Sequence, residues 1–182
     1  MDTTGIDDVL RFWFEDTPPA RWWRADPAFD ARIRERFGAL HAAAAAVELQ
    51  AWRLSDEGRL AEIVVLDQFS RNIHRGTPAA FACDPLALGL AQEAVARGVH
   101  ERLPVARSAF LLLPYMHSES LRIHDDALQL FGRPGLEDNL RSEHQHRAIL
   151  ARFGRYPHRN AILGRTSTAE EEAFLREPGS SF

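Results

Sequence analysis

The feature that most constrains the fold is an apolar segment that ends in a cluster of polar residues. Its hydrophobic positions are Leu60, Ile63, Val64, Val65, Leu66 and Phe69. At helical spacing these side chains leave almost no solvent face, and a helix that is apolar on all sides is a buried one. Ser55 stands where the N-cap of such a helix is expected. We therefore predict a central buried helix, followed by the polar segment DQFSRNIHR and by new helix starts at Thr77-Pro78 and Asp84-Pro85.

Helix signals recur along the rest of the chain. Asp26-Pro27 pairs a capping residue with a proline suited to the first helical position, and Thr168 with Glu171 matches a capping box. Glycines suited to ending helices are Gly98, Gly132 and Gly154. No segment alternates apolar and polar residues as a strand does. These patterns predict one all-α domain over residues 1–182, a compact bundle or short superhelix of about eight or nine helices, with the last residues of the tail PGSSF frayed.

Composition limits the classes of partner. The chain carries 22 basic and 26 acidic residues, a formal net charge of −4, whereas nucleic-acid-binding domains usually carry a basic excess. No apolar run approaches the roughly 20 residues of a membrane span, and the N-terminus has no signal-peptide pattern. Cys83 is the single cysteine, which excludes a disulfide framework. We expect a soluble, cytoplasmic protein that binds neither nucleic acid nor membrane.

Four segments, in the same order, resemble a bacterial family. They are LRFWF, VLDQFSRNIHRGTPAAFACDPLAL, FLLLPYMHSE and RFGRYPHRNAILGRTSTAEEEAFL. The family is catalogued as domain of unknown function 924 and is grouped with the tetratricopeptide-like helical folds. The resemblance covers nearly the whole chain and implies a tetratricopeptide-like helical fold, but no chemistry. Ser70 departs from the proline of the family motif DQFPRN, and the tetratricopeptide consensus is absent, so peptide binding is not implied.

Three polar motifs, each at a turn or a helix end, supply the candidate functional residues. The first follows the central helix, the second follows Pro114, and the third lies in a loop fixed by Gly154 and Pro157. Polar clusters on fixed loops are typical of binding sites. We predict that the motifs line one polar pocket, whose ligand-binding residues are Asp67, Gln68, Arg71, Asn72, Arg75, His117, Glu119, Arg155, His158, Arg159 and Asn160.

Each motif also has a structural interpretation. Asp67 and Arg71 lie one helical turn apart, so Arg71, or a C-terminal arginine, would pair with a buried Asp67 and tie two helices together. The arginines between positions 144 and 169 would instead reach acidic surfaces such as residues 170–172. A metal site is disfavoured because His144 and His146 point to different sides of a helix and no HExxH motif or cysteine pair is present. We expect no metal and no cofactor.

The charge of the predicted pocket suggests its ligand. Its four arginines outnumber its two carboxylates, Asp67 and Glu119. A small anionic metabolite with a carboxylate or phosphate would offset that excess, because a guanidinium binds such groups bidentately. Two alternatives stay open. One is a helical interaction module that holds a partner peptide in a groove, and the other is an enzyme in which His117, Glu119 or His158 acts as acid or base.

Overall fold

The computed structural model describes residues 4–181 of the chain, apart from the side chain of Thr4. Within that range the structure is helical and contains no strand, so the predicted all-α class is confirmed. Nine helices are present there when a π-helical turn is counted with the α-helix that it continues, which agrees with the predicted eight or nine. Tetratricopeptide-like packing stays a prediction.

Short turns separate the helices. The helices are α1 (Thr4–Arg11, continued by the π-helical turn Phe12–Asp16), α2 (Pro27–Ala45), α3 (Asp56–Val64, the π-helical turn Val65–Phe69 and Ser70–Ile73), α4 (Asp84–Ala96), α5 (Val99–Arg102), α6 (Val105–Met116), α7 (Leu121–Phe131), α8 (Glu137–Phe153) and α9 (Ala169–Phe174). Turns of 3-10 helix occupy Pro19–Arg21, Gln50–Leu54, Pro78–Phe81 and Pro157–Arg159. Among the described residues, no helix has the length and apolar character needed to cross a membrane.

Three predicted helix starts are present with their predicted caps, whereas Thr77-Pro78 leads only into the 3-10 turn Pro78–Phe81. The Asp26 carboxylate accepts the first free N–H groups of α2 at 3.0 and 3.2 Å. The Ser55 hydroxyl accepts the N–H of Gly58 at 3.0 Å, in the first turn of α3. Thr168 and Glu171 form the predicted reciprocal capping box at the start of α9. Each cap satisfies N–H groups that have no partner inside the helix.

The chain divides into two compact units. Unit 1 contains the residues up to Arg75 together with Ala79–Pro114, and unit 2 contains Gly76–Pro78 together with the residues from Tyr115 onward. The single domain predicted for residues 1–182 stays a prediction. Phe182, the last residue of the tail predicted to fray, lies outside the described residues.

Helix α3 forms the core of unit 1. Every apolar side chain from Leu60 to Phe69 is fully buried, as the all-round apolar pattern predicts. Phe69 packs against Phe12 and Phe37, with ring centroids 6.1 and 4.9 Å apart. The start of α3 lies so close to the preceding turn that a Cβ on Gly58 would be 2.0 Å from the Trp52 carbonyl oxygen. Only glycine fits at that position without a shift of the backbone.

Unit 2 is built on α7 and α8, which pack against each other. Its apolar core includes Ile149 and Leu150 of α8 and the fully buried Tyr156. Gly154 has a φ of 69° and ends α8, as the sequence predicts. The reversal at this glycine leads into the turn Pro157–Arg159, which carries the third polar motif next to the core.

Candidate functional site

The first predicted motif begins on the π-helical turn of α3, in unit 1. Such turns insert one extra residue into a helix and are frequent at functional sites. Asp67, within this turn, is fully buried. Its carboxylate accepts the Gln68 side-chain amide at 2.5 Å and lies 3.1 Å from Nη1 of Arg71. The predicted pairing of Asp67 with Arg71 is therefore present.

Arg71 binds a second carboxylate as well. Its guanidinium donates two hydrogen bonds, of 2.9 and 3.1 Å, to Asp84 at the start of α4, and one of 2.8 Å to the Asp67 carbonyl oxygen. The guanidinium carbon also lies 5.7 Å from the centroid of the Phe81 ring. These contacts link α3 to α4, as the structural interpretation of the motif expects.

Asn72 and Arg75 converge on Asp30 of α2. Asn72 donates to one carboxylate oxygen at 2.8 Å, and Arg75 binds both oxygens at 2.6 and 2.9 Å. Burial alone would raise the pKa of Asp30, but the hydrogen bonds from Arg75 and Asn72 hold that pKa below its ordinary value. Gln68 and Asn72, which α-helical spacing would put in one row, thus serve two different carboxylates.

These contacts correct the charge count made from the sequence. That count sets four arginines against two carboxylates. Three of the arginines have carboxylate partners that the count omits, namely Asp30, Asp84 and Glu171. The predicted cationic excess is therefore wrong for these side chains, because acids distant in the sequence neutralise them.

In unit 2, Glu119 of the second motif holds the third motif in place. Its carboxylate accepts two hydrogen bonds from Arg165, at 2.7 and 2.9 Å, and one from the backbone N–H of Tyr156 at 2.8 Å. Burial alone would raise the pKa of Glu119, but the bonds from Arg165 and Tyr156 lower it. Glu119 therefore orients this loop, and a carboxylate with a lowered pKa is a weak general base.

Arg155 and Asn160 complete the frame of the loop. Arg155 donates to both oxygens of Glu171, at 2.7 and 2.8 Å, and this bonding is the main reason that the pKa of Glu171 falls to about 2. The buried Asn160 accepts a hydrogen bond from Arg165 at 2.9 Å and donates one to the Ser167 hydroxyl at 3.0 Å. Arginines of this segment thus do reach the acidic start of α9, as the structural interpretation expects.

Three histidines of unit 2, of which only His158 was predicted as a site residue, pack around Tyr156. The ring centroids of His124, His146 and His158 lie 6.3, 5.8 and 5.7 Å from that of Tyr156. The guanidinium carbon of Arg159 lies 4.7 Å from the same centroid, and Arg159 donates to the carbonyl oxygen of residue 117 at 3.1 Å. We define the Tyr156 cluster as His117, His124, His146, Tyr156, His158 and Arg159.

The histidines of the Tyr156 cluster differ in exposure. His124 and His146 are buried, whereas His117 and His158 are half-buried. Burial lowers the pKa of His146 to about 3, against the effect of its hydrogen bond to a backbone carbonyl, and charge on the other three imidazoles lowers it further. His146 is therefore neutral at neutral pH. No group of three or more His, Cys, Asp or Glu side chains among the described residues is arranged to hold a metal ion.

One buried pair in the cluster is joined by a short hydrogen bond. Nδ1 of His124 lies 2.5 Å from Glu143, and neither side chain is exposed. Nε2 of the same ring faces the Ser118 carbonyl oxygen at 2.9 Å and the Tyr156 hydroxyl at 3.1 Å, and that hydroxyl donates to the Met116 carbonyl oxygen at 2.6 Å. Nε2 therefore donates to the Ser118 carbonyl oxygen, and Nδ1 faces the carboxyl group of Glu143. Burial raises the pKa of Glu143, although the bond to His124 opposes this.

Comparison with known proteins decides the family. The family model described as "Bacterial protein of unknown function (DUF924)" matches residues 9–179. The chain belongs to this family. A solved structure of a protein of unknown function from Agrobacterium tumefaciens is 39% identical, with a TM-score of 0.91 over 96% of this chain and 99% of that chain. Among curated proteins, none matches.

Ser70 of this DUF924 protein lies inside helix α3. The Ser70 hydroxyl, buried in α3, donates to the Leu66 carbonyl oxygen at 2.5 Å and lies 2.7 Å from Nε2 of His41. Helix α3 continues past this residue to Ile73. The serine thus keeps its polar atom satisfied inside the core while the helix carries the first motif onward.

The predicted site residues of the DUF924 protein fall into two groups. Those of the first motif lie together in unit 1, and those of the second and third motifs lie together in unit 2. A single pocket lined by both groups stays a prediction. Each group is internally well connected by the hydrogen bonds given above.

Sequence reasoning missed the buried part of the Tyr156 cluster. His124 lies seven residues, or two helical turns, before the buried Phe131, and Glu143 lies seven before the buried Leu150. Each therefore occupies the apolar face of its helix. A polar residue at such a position indicates a buried partner, and this signal would have suggested pairing His124 with Glu143.

Proposed function

We propose that this DUF924 protein binds a small anionic metabolite, bearing a carboxylate or a phosphate, at the Tyr156 cluster. One observation carries the proposal: three imidazoles and a guanidinium gather around Tyr156, and the charge of a fourth imidazole, that of His117, acts on His146. Imidazole and guanidinium N–H groups are the donors that anionic oxygens accept most strongly. The cytoplasm, where such metabolites are abundant, is the compartment that this proposal expects.

The carboxylates next to the cluster support an anionic ligand because each already has a hydrogen-bonded arginine or histidine partner. Glu119 is bound by Arg165, and Glu143 is bound by His124. A proton gained by an imidazole near Arg159 would add positive charge there, and an anion would reduce the mutual repulsion.

Three residues are proposed to contact the ligand. His117 and His158 are half-buried, so part of each imidazole reaches the surface, and Arg159 offers a planar fork suited to two anionic oxygens. Glu119, Arg155 and Asn160 position the loop. The residues of the first motif hold α3 to α2 and α4, and they are Asp67, Gln68, Arg71, Asn72 and Arg75.

A thermal-shift panel tests the proposal. Phosphate, sulfate, citrate and other acidic metabolites are compared with chloride at fixed ionic strength. A ligand bound only by the native state, at ~100 times its Kd, adds about 2.7 kcal/mol to the free energy of unfolding. For a chain of this size each kcal/mol raises the Tm by roughly 2–4 °C. We expect at least one anion to raise the Tm beyond the effect of chloride.

Two histidine variants in unit 2 make the test specific. His158→Asn removes an imidazole from the Tyr156 cluster, whereas His144→Asn removes an exposed imidazole of α8 outside it. The anion-dependent rise in Tm should disappear in the first variant and persist in the second. A wild-type response no larger than that to chloride, or equal responses of the two variants, would overturn the proposal.

A further inference from the structure

Two imidazoles of unit 1 pack against each other, outside the predicted site. His41 lies in the second half of α2 and is 7% exposed. His74 directly follows Ile73, the last residue of α3, and is half-buried. The two ring centroids are 5.2 Å apart, and the ring planes meet at 61°. The pair therefore joins α2 to the end of α3.

Hydrogen bonds set the tautomer of His41. The Ser70 hydroxyl oxygen lies 2.5 Å from the Leu66 carbonyl oxygen, and the hydrogen between them comes from Ser70 because a carbonyl group has none to donate. Ser70 therefore accepts a hydrogen bond from His41, whose Nε2 lies 2.7 Å from the hydroxyl oxygen. In the neutral ring, Nε2 carries the hydrogen and Nδ1 carries the lone pair.

The Nδ1 lone pair of His41 is an unused acceptor at the surface. It accepts no hydrogen bond within residues 4–181, and Nδ1 does not belong to the buried polar atoms that lack a partner there. Burial lowers the pKa of His41, and charge on His74 lowers it further. The imidazole of His41 is thereby kept in the neutral form that binds metal ions.

The surroundings of His41 are those of a metal ligand. Histidines that bind a metal usually donate their other ring N–H to a fixed acceptor, which orients the ring. The Ser70 hydroxyl is such an acceptor, since its own hydrogen is held by Leu66. Two imidazoles on one tetrahedral zinc ion, with Zn–N distances of about 2.0–2.1 Å, have ring centroids roughly 5 Å apart. The 5.2 Å between the rings of His41 and His74 agrees with this arrangement.

We propose that His41 and His74 bind a divalent transition-metal ion of the zinc type, with water in the remaining coordination positions. No group of three or more His, Cys, Asp or Glu side chains within residues 4–181 could hold a metal ion, so the protein supplies two ligands. Catalytic zinc sites use three protein ligands and structural sites four. An ion held by two is exchangeable, and it links α2 to α3 only while it is bound.

The charges near the pair restrict the kind of ion. Arg34 donates to the Ile73 carbonyl oxygen, beside His74, at 3.1 and 2.5 Å. Arg75 is neutralised by Asp30. The positive charge of Arg34 disfavours a cation that is held by electrostatic attraction alone. Mg²⁺ and Ca²⁺, which require oxygen ligands, are therefore unsuited, whereas Zn²⁺, Cu²⁺ and Ni²⁺ bond to a neutral imidazole nitrogen.

The test is isothermal titration calorimetry of ZnCl₂ into the full-length protein in a buffer without phosphate. We expect the wild type to bind one more equivalent of Zn²⁺ per chain than His74→Asn, which removes the half-buried ligand. His144→Asn, which removes an exposed imidazole of unit 2, should bind as the wild type does. MgCl₂ at the same concentration should neither bind at this site nor displace the zinc. The Tm of each variant without metal shows that it is folded.

Ser70→Ala tests whether His41 is a ligand, because it removes the acceptor of the Nε2 hydrogen and no ligand. Loss of such an acceptor weakens metal binding by about tenfold or more, whereas two histidines that only pack together would bind zinc no differently. Equal zinc binding by His74→Asn and the wild type, unchanged affinity in a folded Ser70→Ala, or absence of zinc binding would overturn the proposal. His74→Asn decides it if Ser70→Ala does not fold.

Discussion

Buried carboxylates and the arginines that bind them organise both units at the scale of single residues. Asp67 has no exposed surface and is paired with Arg71, and Asp30 is paired with Arg75. Removing one partner of such a pair leaves an uncompensated charge in the interior. An exposed pair such as Asp138 with Arg141 lacks this penalty because water solvates both groups.

Arg71→Ala should therefore destabilise unit 1 strongly. Breaking a buried pair by removing one partner lowers the free energy of unfolding by about 3–5 kcal/mol. Arg141→Ala, the matched control at an exposed pair, should lower it by less than about 1 kcal/mol. Denaturant titration of the two variants gives the comparison. Equal losses would show that Arg71 does not hold the interior charge of Asp67.

Two glycines in helices make a second matched pair. A Cβ at position 58 would meet the Trp52 carbonyl oxygen at 2.0 Å, whereas one at position 38 has nothing within 4 Å. Gly58→Ala should lower the Tm because the backbone must move to separate the added methyl group from the Trp52 carbonyl oxygen. Gly38→Ala, inside α2, should raise the free energy of unfolding by about 0.5–1 kcal/mol because alanine is the better helix former. A Gly58→Ala protein as stable as the wild type would contradict the close approach.

At the scale of elements, local sequence signals predicted where helices begin and end. Asp26, Ser55 and Thr168 cap helices as their neighbours in the sequence indicate. The π-helical turn Val65–Phe69 was not predicted. An inserted residue can be detected in a sequence when it shifts the boundary between the apolar and the polar face of a helix, and this helix is apolar on all sides. Gln68 and Asn72 would share one face at α-helical spacing, but they bond to different carboxylates, Asp67 and Asp30.

Helix α8 should carry a measurable pH dependence through His146. Its pKa is about 3 in the folded protein and 6.5 for the free side chain, so the unfolded state binds more protons between these values. The stability that His146 contributes is complete above pH 6.5 and is lost as the pH falls toward 3.

His146→Asn tests this dependence by removing the group that titrates. Between about pH 7 and about pH 4.5 its free energy of unfolding should fall less steeply than that of the wild type. Denaturant titrations at several pH values measure both slopes, and taking their difference removes the contribution of the other titrating groups. Identical slopes would mean that His146 titrates normally in the folded protein.

At the scale of the whole molecule, the helical class and family could be predicted, but the connections inside the site could not. Asp30 meets Arg75 across 45 residues, and Glu119 meets Arg165 across 46. No periodic pattern in one helix indicates such a partner. The first motif was predicted to follow the central helix, and this is wrong, because α3 continues through Asp67 and Arg71 to Ile73. The balance of charge in the motifs depends on residues outside them.

The most direct test of the anion site measures sulfate binding at about pH 6 and about pH 8, a range in which histidine changes charge and sulfate does not. Isothermal titration calorimetry at constant ionic strength compares the wild type with His158→Asn and His144→Asn. The account predicts about tenfold tighter binding at the lower pH, equivalent to about 1.4 kcal/mol, in the wild type and in His144→Asn. It predicts that His158→Asn loses this pH dependence. Absence of sulfate binding at both pH values, or binding that is equally strong at both, would contradict it.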